Sequence, residues 1–169
     1  MKRCAAILSA ALALLPGTAL AQIYGSEISF FGTYDNVREP VDHELSVLHL
    51  RYGRYLSERA LGTVGLSRTR FETGVGNTSS TAVTAGVKYY LGVQGPSTLV
   101  PFLDAGIGLA RVDTGAQKDT DLTGELGGGA AYFISEATSF DVSLRWYHTD
   151  TDGGGTEGMR AFVGVTMRF

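Results

Sequence analysis

The chain has 169 residues, of which 44% are hydrophobic, 23 are glycine, four are proline and one is cysteine, and its formal net charge is −3. This composition excludes collagen, disulfide-rich scaffolds and most disordered proteins. No apolar run beyond the N-terminus approaches the roughly 18 residues that a membrane-spanning helix requires, which excludes helical membrane proteins. The acidic balance argues against a nucleic-acid partner.

Residues 1–21 have the pattern of a secretory signal peptide. Basic residues precede an apolar stretch, and Ala19-Leu20-Ala21 places small side chains at the −3 and −1 positions of a cleavage site. The mature chain is therefore expected to comprise residues 22–169 and to form one domain. In this interpretation Cys4 leaves with the signal, so the mature chain has no disulfide, no thiolate nucleophile and no cysteine-based metal site.

The mature chain alternates between apolar and polar residues with a period of two, interrupted by clusters of Gly, Asp, Asn, Ser and Thr. Such alternation indicates β-strands with two different faces. Each segment is about as long as the 9 to 11 residues of a tilted membrane strand, or slightly longer. The sequence predicts eight strands, at residues 23–34, 45–56, 61–71, 81–91, 100–112, 121–134, 139–149 and 158–169.

The two faces of these predicted strands differ in charge. The apolar face is uncharged except near strand ends, where Arg54, Arg68 and Arg111 share its parity. The polar face is almost electrically balanced, and its charged residues are Glu27, Arg51, Lys88, Asp104, Glu125, Asp141, Arg145, Arg160 and Arg168.

Alternation alone does not decide which face points outward, because a membrane barrel and a soluble lipocalin-like barrel share the pattern with inside and outside exchanged. More glycines fall on the polar face, and small side chains suit the concave inside of a narrow barrel. Aromatic residues also gather at one set of strand ends, as an interfacial girdle would. They are Tyr52, Tyr55, Tyr89, Tyr90, Phe102, Tyr132, Phe133, Phe140 and Phe169. We predict the membrane orientation, with a soluble periplasmic binding barrel as an alternative.

Four segments carry a family pattern: Leu50–Leu56, Leu61–Phe71, Val100–Ala110 and Phe162–Phe169. They resemble the small eight-stranded outer-membrane barrels, a group that includes the OmpA-type transmembrane domain, OmpX and the opacity-protein surface antigens. The last segment resembles the family's terminal assembly signal, and the resemblance implies that Phe169 serves in assembly.

The resemblance implies an all-β, eight-stranded, antiparallel, up-and-down transmembrane β-barrel in the outer membrane of a Gram-negative bacterium, with both termini in the periplasm. The implied partners are outer-membrane lipid and lipopolysaccharide, the assembly machinery with its periplasmic chaperones, and a host or other surface ligand. The protein is expected to be a monomer without a cofactor.

One cluster, His148 with Asp150, Asp152 and Glu157, suggests catalysis. Lipid A-modifying barrels place His, Ser and an acid near one rim, and a nucleophile must lie within hydrogen-bond reach of its base. Here Thr149 points the other way and no His-x-Ser-Asn stretch is present. We therefore predict a protein that is not an enzyme, with a lipid A-modifying enzyme as an alternative.

The acidic segment 149–157 begins like a calcium loop, in which carboxylates alternate before a glycine turn. The bidentate Glu that should close such a loop is missing, since Ala161 stands at the twelfth position. No metal ligands are assigned, and weak binding of a divalent cation to this loop stays open.

The expected function is structural or surface-exposed, with adhesion or host contact through the outer loops 35–43, 72–80, 113–120 and 149–157. Eight strands leave an interior just wide enough for side chains, which disfavours a pore. The charged residues of the polar face are expected to fill the lumen as an ionic network. Counting along neighbouring strands pairs Glu27 with Arg51, Lys88 with Asp104 and Asp141 with Arg168, and places Glu125 near Arg145 or Arg160.

Overall fold

The alternating segments form eight antiparallel strands that close into one barrel in the computed structural model. The structure describes residues 25–37, 43–73, 76–113, 118–150 and 156–169; the predicted signal peptide lies outside them. The strands are β1 (Ser26–Val37), β2 (His43–Tyr55), β3 (Ala60–Thr73), β4 (Gly76–Tyr90), β5 (Leu99–Asp113), β6 (Lys118–Phe133), β7 (Thr138–Asp150) and β8 (Thr156–Arg168). The predicted fold class is confirmed.

Each strand pairs with the next along the chain, and β8 pairs with β1 to close the barrel. This closing seam is short, because it joins only Glu27–Gly32 to Val163–Arg168. Backbone hydrogen bonds extend it at one end, where the amides of Gly25 and Ser26 both donate to the Phe169 carbonyl at 3.1 and 3.0 Å. We call this the terminal end of the barrel and the opposite end the distal end. Along this seam the edges of β1 and β8 are paired, as lipid requires.

The strands continue further at the distal end than the sequence pattern predicts. Register pairs run to Thr73 opposite Gly76 and to Asp113 opposite Lys118, inside segments predicted as loops. The predicted loops 35–43, 72–80, 113–120 and 149–157 are therefore too long. Beyond the apolar band both faces of a hairpin are polar, so the ladder continues while the alternation that reveals it disappears.

The apolar face points outward along the whole barrel. Leu126 is 60% exposed and Val142 57%, whereas the residues that flank them, such as Asp141, lie inside. In water this arrangement would expose a continuous apolar surface, whereas a membrane barrel places it against lipid. Among the described residues there is no helix long and apolar enough to cross a membrane.

The predicted aromatic girdle divides into two groups because neighbouring residues of a strand face opposite sides. Those on the outside are Tyr52, Tyr89, Tyr132, Phe140 and Phe169. The other four point into the barrel, where Tyr90, Phe102 and Phe133 are fully buried and Tyr55 is partly buried. Assigning all nine to the girdle was wrong, since strand position was counted without regard to parity.

Candidate functional site

The lumen is the candidate functional site, and its contents change along the barrel axis. At the terminal end lies an apolar group, the terminal cluster, formed by Leu61, Tyr90, Val100, Phe102, Ala131 and Phe133. Charged side chains occupy the middle. Further toward the distal end, Phe31, Val47 and Phe162 form a second apolar group. All of these side chains lie in the lumen because inward positions alternate with lipid-facing ones along every strand.

Lys88 is the centre of a lower ionic group, the one nearer the terminal end, which also contains Glu27 and Asp141. Its Nζ lies 3.0 Å from Glu27 Oε1 and 3.4 Å from Asp141 Oδ2, and all three side chains are almost completely buried. The same Nζ lies 4.6 Å from the ring centroids of Tyr90 and Phe102. One ammonium group therefore joins two carboxylates and the aromatic rings of the terminal cluster.

Neutral hydroxyl groups complete the environment of these carboxylates. Ser139 donates to Asp141 Oδ1 at 2.6 Å, and Thr166 donates to Asp141 Oδ2 at 2.8 Å. The Tyr90 hydroxyl donates to Glu27 Oε2 at 3.0 Å. Both buried acids thus accept several hydrogen bonds, which is the condition under which a buried charge is tolerated.

An upper ionic group, the one nearer the distal end, contains Arg51, Asp104, Glu125 and Arg145. Arg51 places Nη1 2.6 Å from Asp104 Oδ2 and Nη2 2.9 Å from Glu125 Oε1. Arg145 approaches the same Asp104 oxygen with Nε at 3.2 Å. Two cations and two anions therefore balance in formal charge within this group.

Arg145 is held on three further sides, by aromatic rings and by a histidine. Its guanidinium carbon lies 4.6 Å from the centroid of the Phe31 ring and 4.9 Å from that of Phe162. Its Nη1 lies 3.3 Å from His49 Nδ1. Cation–π contacts of this kind stabilise a desolvated guanidinium.

The remaining two cations of the predicted network stand on aromatic rings. The guanidinium carbon of Arg168 lies 4.0 Å from the Phe133 centroid, and that of Arg160 lies 3.9 Å from the Tyr147 centroid. Arg160 also donates to the Thr69 hydroxyl at 3.3 Å. All nine predicted charged residues thus point into the lumen, seven in ion pairs and two against rings.

The predicted pairings differ from the ion pairs that form. Glu27 pairs with Lys88 instead of Arg51, Asp104 with Arg51 and Arg145 instead of Lys88, and Asp141 with Lys88 instead of Arg168. Glu125 pairs with Arg51, although it lies in the same ionic group as Arg145, as expected. Lys88 and Asp104 are even opposite each other in the β4–β5 register. The pairings were wrong because long side chains cross a narrow lumen instead of turning to the adjacent strand.

His49 was assigned to the polar face but not to the ionic network, and two further contributors, Phe31 and Phe162, were missed from the sequence. Each lies at an inward-facing position of its strand. Phe31, for example, alternates with Ser29 and Thr33 on the polar face of β1. Parity alone therefore identifies them as inward-facing. They are uncharged, whereas charge was the sequence signal for the ionic network.

An open cavity of about 430 Å³ occupies the distal half of the lumen, above the upper ionic group. Its walls include Val47, Ala110 and Phe162 near the floor and Phe71 and Thr78 further out. In the described part of the chain, the lumen is thus filled in its middle by the ionic groups and widens toward the distal end.

The cluster that suggested catalysis lies on the outside of the barrel, not in the lumen. His148 stacks on Trp146 with ring centroids 5.9 Å apart, and its Nδ1 lies 3.9 Å from Glu157 Oε2. Thr149 faces inward, with its hydroxyl 3.1 Å from that of Thr123. Asp152 lies outside the described residues. Within the described ranges, no three His, Cys, Asp or Glu side chains are grouped as metal ligands.

A closed eight-stranded barrel with an apolar exterior and a charged, filled interior defines an integral membrane β-barrel protein. The chain belongs to the outer membrane protein β-barrel domain family, whose pattern it matches over residues 5–169. Family and facing together exclude the soluble periplasmic alternative. No curated protein matches the sequence.

Three solved structures of small outer-membrane barrels share the fold. The N-terminal β-barrel domain of Pseudomonas aeruginosa OprF superposes with a TM-score of 0.59 at 20% identity, covering 86% of this chain and 98% of that one. Neisserial surface protein A gives 0.60 at 14% identity, covering 86% and 96%. The outer membrane enzyme PagL gives 0.57 at 18% identity, covering 82% and 97%. Such identities establish the fold and leave activity open.

Proposed function

We propose that this protein is a non-enzymatic, structural barrel of the Gram-negative outer membrane whose lumen does not conduct ions. The observation that carries the proposal is the sealed middle of the lumen. The side chains of Lys88, Glu27, Arg51 and Arg145 are each at most 4% exposed. A permeating ion would have to separate buried charge pairs, and leaving a buried charge unpaired typically costs about 3 to 5 kcal/mol.

Conductance of the refolded full chain in planar lipid bilayers tests this. The wild type is expected to give no discrete channel openings. Two matched variants locate any current: Lys88→Gln changes the lumen, and Leu126→Ala changes only the lipid-facing surface. A steady wild-type current whose ion selectivity changes in Lys88→Gln but not in Leu126→Ala would pass through the lumen and overturn the proposal.

The surroundings of His148 support a non-enzymatic role. Its register partners are Gly124 on β6 and Glu157 on β8, and the next outward residue on its own strand is Asp150. None of these described neighbours carries a hydroxyl or thiol that His148 could activate as a nucleophile. A His–Glu pair without a nucleophile lacks the arrangement that acyl transfer from a lipid needs.

Mass spectrometry of lipid A tests the enzymatic alternative. We expect identical lipid A from cells that express the wild type, the His148→Ala variant or an empty vector. Loss or gain of an acyl chain with the wild type, abolished by His148→Ala, would establish a lipid A-modifying enzyme instead.

Contact with another surface through the distal hairpins is a second candidate function. The hairpins project because strand β6 has 16 residues, more than the roughly 9 to 11 that cross the bilayer. The similarity to a Neisserial surface protein supports the same role. Binding of the folded protein to host-matrix components should weaken when the hairpin tips are replaced by short Gly-Ser connections, and binding that is unchanged by this replacement would contradict it.

A further inference from the structure

The outward face carries a row of residues where its apolar band ends on the distal side. The last apolar row crosses five strands in direct register, as Leu50, Leu66, Val83, Leu109 and Leu122. The next outward row, two residues further along each strand, is Leu48, Arg68, Thr81, Arg111 and Thr120. On β3 to β6 the change from aliphatic to basic and hydroxyl side chains therefore occurs in one step, whereas β2 keeps Leu48.

Within this row, Thr81 on β4 has two register partners, Arg68 on β3 and Arg111 on β5. All three are exposed on the outside of the barrel. Neighbouring strands lie about 4.8 Å apart, so the two arginine backbones are separated by about 10 Å. Two long guanidinium side chains can thus converge above one hydroxyl group.

Among the described residues, neither Arg68 nor Arg111 forms an ion pair. The next arginine toward the distal end, Arg70, is engaged by Glu72 at 3.7 Å. Acidic residues with the same outward parity lie two residues further toward the distal end, as Glu72 beyond Arg70 on β3 and Asp113 beyond Arg111 on β5. The register row that contains Arg68, Thr81 and Arg111 itself has no acidic residue.

A cation at this position is within reach of the anionic groups of the membrane. Charges that face lipid are tolerated near the interface, where long basic side chains reach the headgroup layer. A guanidinium presents a planar fork of donors that matches phosphate oxygens in a bidentate manner. The Thr81 hydroxyl adds a further donor between the two forks.

We infer that Arg68, Thr81 and Arg111 form a binding site for a phosphate group of an outer-leaflet lipid. The acyl chains of that lipid lie against the aliphatic row below, at Leu66, Val83 and Leu109. This site is independent of the proposed function, since it requires only that the barrel is inserted in a membrane. Both charge and apolar continuity favour a lipid over a free anion.

Thermal unfolding of the full chain in bilayers tests the site. The protein is reconstituted in zwitterionic phospholipid alone, with added diphosphorylated lipid A, with added dephosphorylated lipid A, or with inorganic phosphate in the buffer. We expect the unfolding temperature to rise only with diphosphorylated lipid A. An equal rise with dephosphorylated lipid A or with inorganic phosphate would overturn the proposal.

Variants locate the effect at the row. Arg68→Gln with Arg111→Gln should lose most of the rise in unfolding temperature, and Arg68→Lys with Arg111→Lys should keep more of it than the glutamine pair. Arg54→Gln is the matched control, because Arg54 is also outward and exposed but lies near the terminal end of β2. A full rise in the glutamine pair, or an equal loss in Arg54→Gln, would contradict the site. Co-purified lipid A counted by native mass spectrometry gives a second readout if the glutamine pair folds poorly.

Discussion

Arg51 reaches across the lumen to Asp104, with Nη1 2.6 Å from Oδ2, although β2 and β5 are not neighbours in the barrel. The same guanidinium holds Glu125 on β6. Lys88 likewise connects β4 to β1 and β7 through Glu27 and Asp141. The ionic groups therefore brace the barrel across its width, whereas the backbone ladder joins only adjacent strands.

Replacing Asp104 by alanine should destabilise the barrel strongly, because Arg51 and Arg145 both lose a buried partner. Breaking a buried pair in this way typically costs about 3 to 5 kcal/mol. Urea unfolding of the refolded protein in lipid vesicles measures the loss. Asp150→Ala, an exposed position on the outer surface, is the control and should cost little. Equal effects of the two substitutions would contradict the prediction.

Removing a matched pair of opposite charges should be milder than removing the acid alone. In Asp104→Leu with Arg145→Met, the pair between Arg51 and Glu125 stays intact, so the upper group remains neutral. Well-packed apolar replacements of buried ion pairs are often nearly neutral in stability. The same urea titration should rank this double variant above Asp104→Ala, and a double variant that is less stable would argue that packing, not charge balance, governs the lumen.

The outward face should reject charge near the middle of the membrane. Leu126→Arg places a cation against lipid and is expected to cost roughly 2 to 4 kcal/mol. Thr84→Ser, at a buried inward position, is the conservative comparison. The free energies of unfolding of the two variants, measured in lipid vesicles, test this prediction. If Leu126→Arg proved as stable as Thr84→Ser, the facing of the strands would be in doubt.

Close strand contact at Gly108 should exclude any side chain. A Cβ built there overlaps the carbonyl oxygen of Val83 on β4, whereas a Cβ at Gly124 has its nearest neighbour, Gly106 O, 3.9 Å away. Overpacking typically costs about 1 to 3 kcal/mol. Gly108→Ala should therefore lower the urea midpoint clearly and Gly124→Ala should not. Similar midpoints for both would show that the strands can separate to admit a methyl group.

Phe169 is expected to act in assembly more than in stability, as the family resemblance implies. Deleting it would also remove backbone bonds, since its amide donates to Ser26 O at 3.0 Å and its carbonyl accepts from two amides. Phe169→Ala keeps these bonds and removes only an exposed ring. We expect less inserted protein in cells but unchanged melting of the folded fraction. Normal insertion of Phe169→Ala would argue against the role.

The fold could be predicted from the sequence because successive residues of a strand face lipid and the lumen in turn. Lipid requires apolar side chains, whereas the lumen of this barrel holds mostly polar or small ones. Leu103, Asp104 and Ala105 show the period directly, and eight such segments close into a barrel. The last residues of the strands could not be predicted, because Glu72 and Thr73, at the end of β3, are both polar and show no alternation.

The composition of the lumen was readable from parity, whereas its pairings were not. Which acid Lys88 contacts depends on the reach of a flexible side chain and on the width of the barrel, and neither quantity is encoded in the spacing along one strand. Aromatic rings as partners of Arg145 and Arg168 were missed for a related reason. A search for opposite charges overlooks the negative face of a ring.

The meeting of Gly25 and Phe169 at the seam makes the order of strands around the barrel cyclic. A circular permutant that joins these two residues and opens the chain at the turn between β4 and β5 would contain every strand pair of the native ladder. Its C-terminal strand would then be β4, so Phe169 would become an internal residue. Such a chain distinguishes two requirements. The strand pairs that determine the fold are all retained, whereas an assembly signal that must stand at the C-terminus is lost.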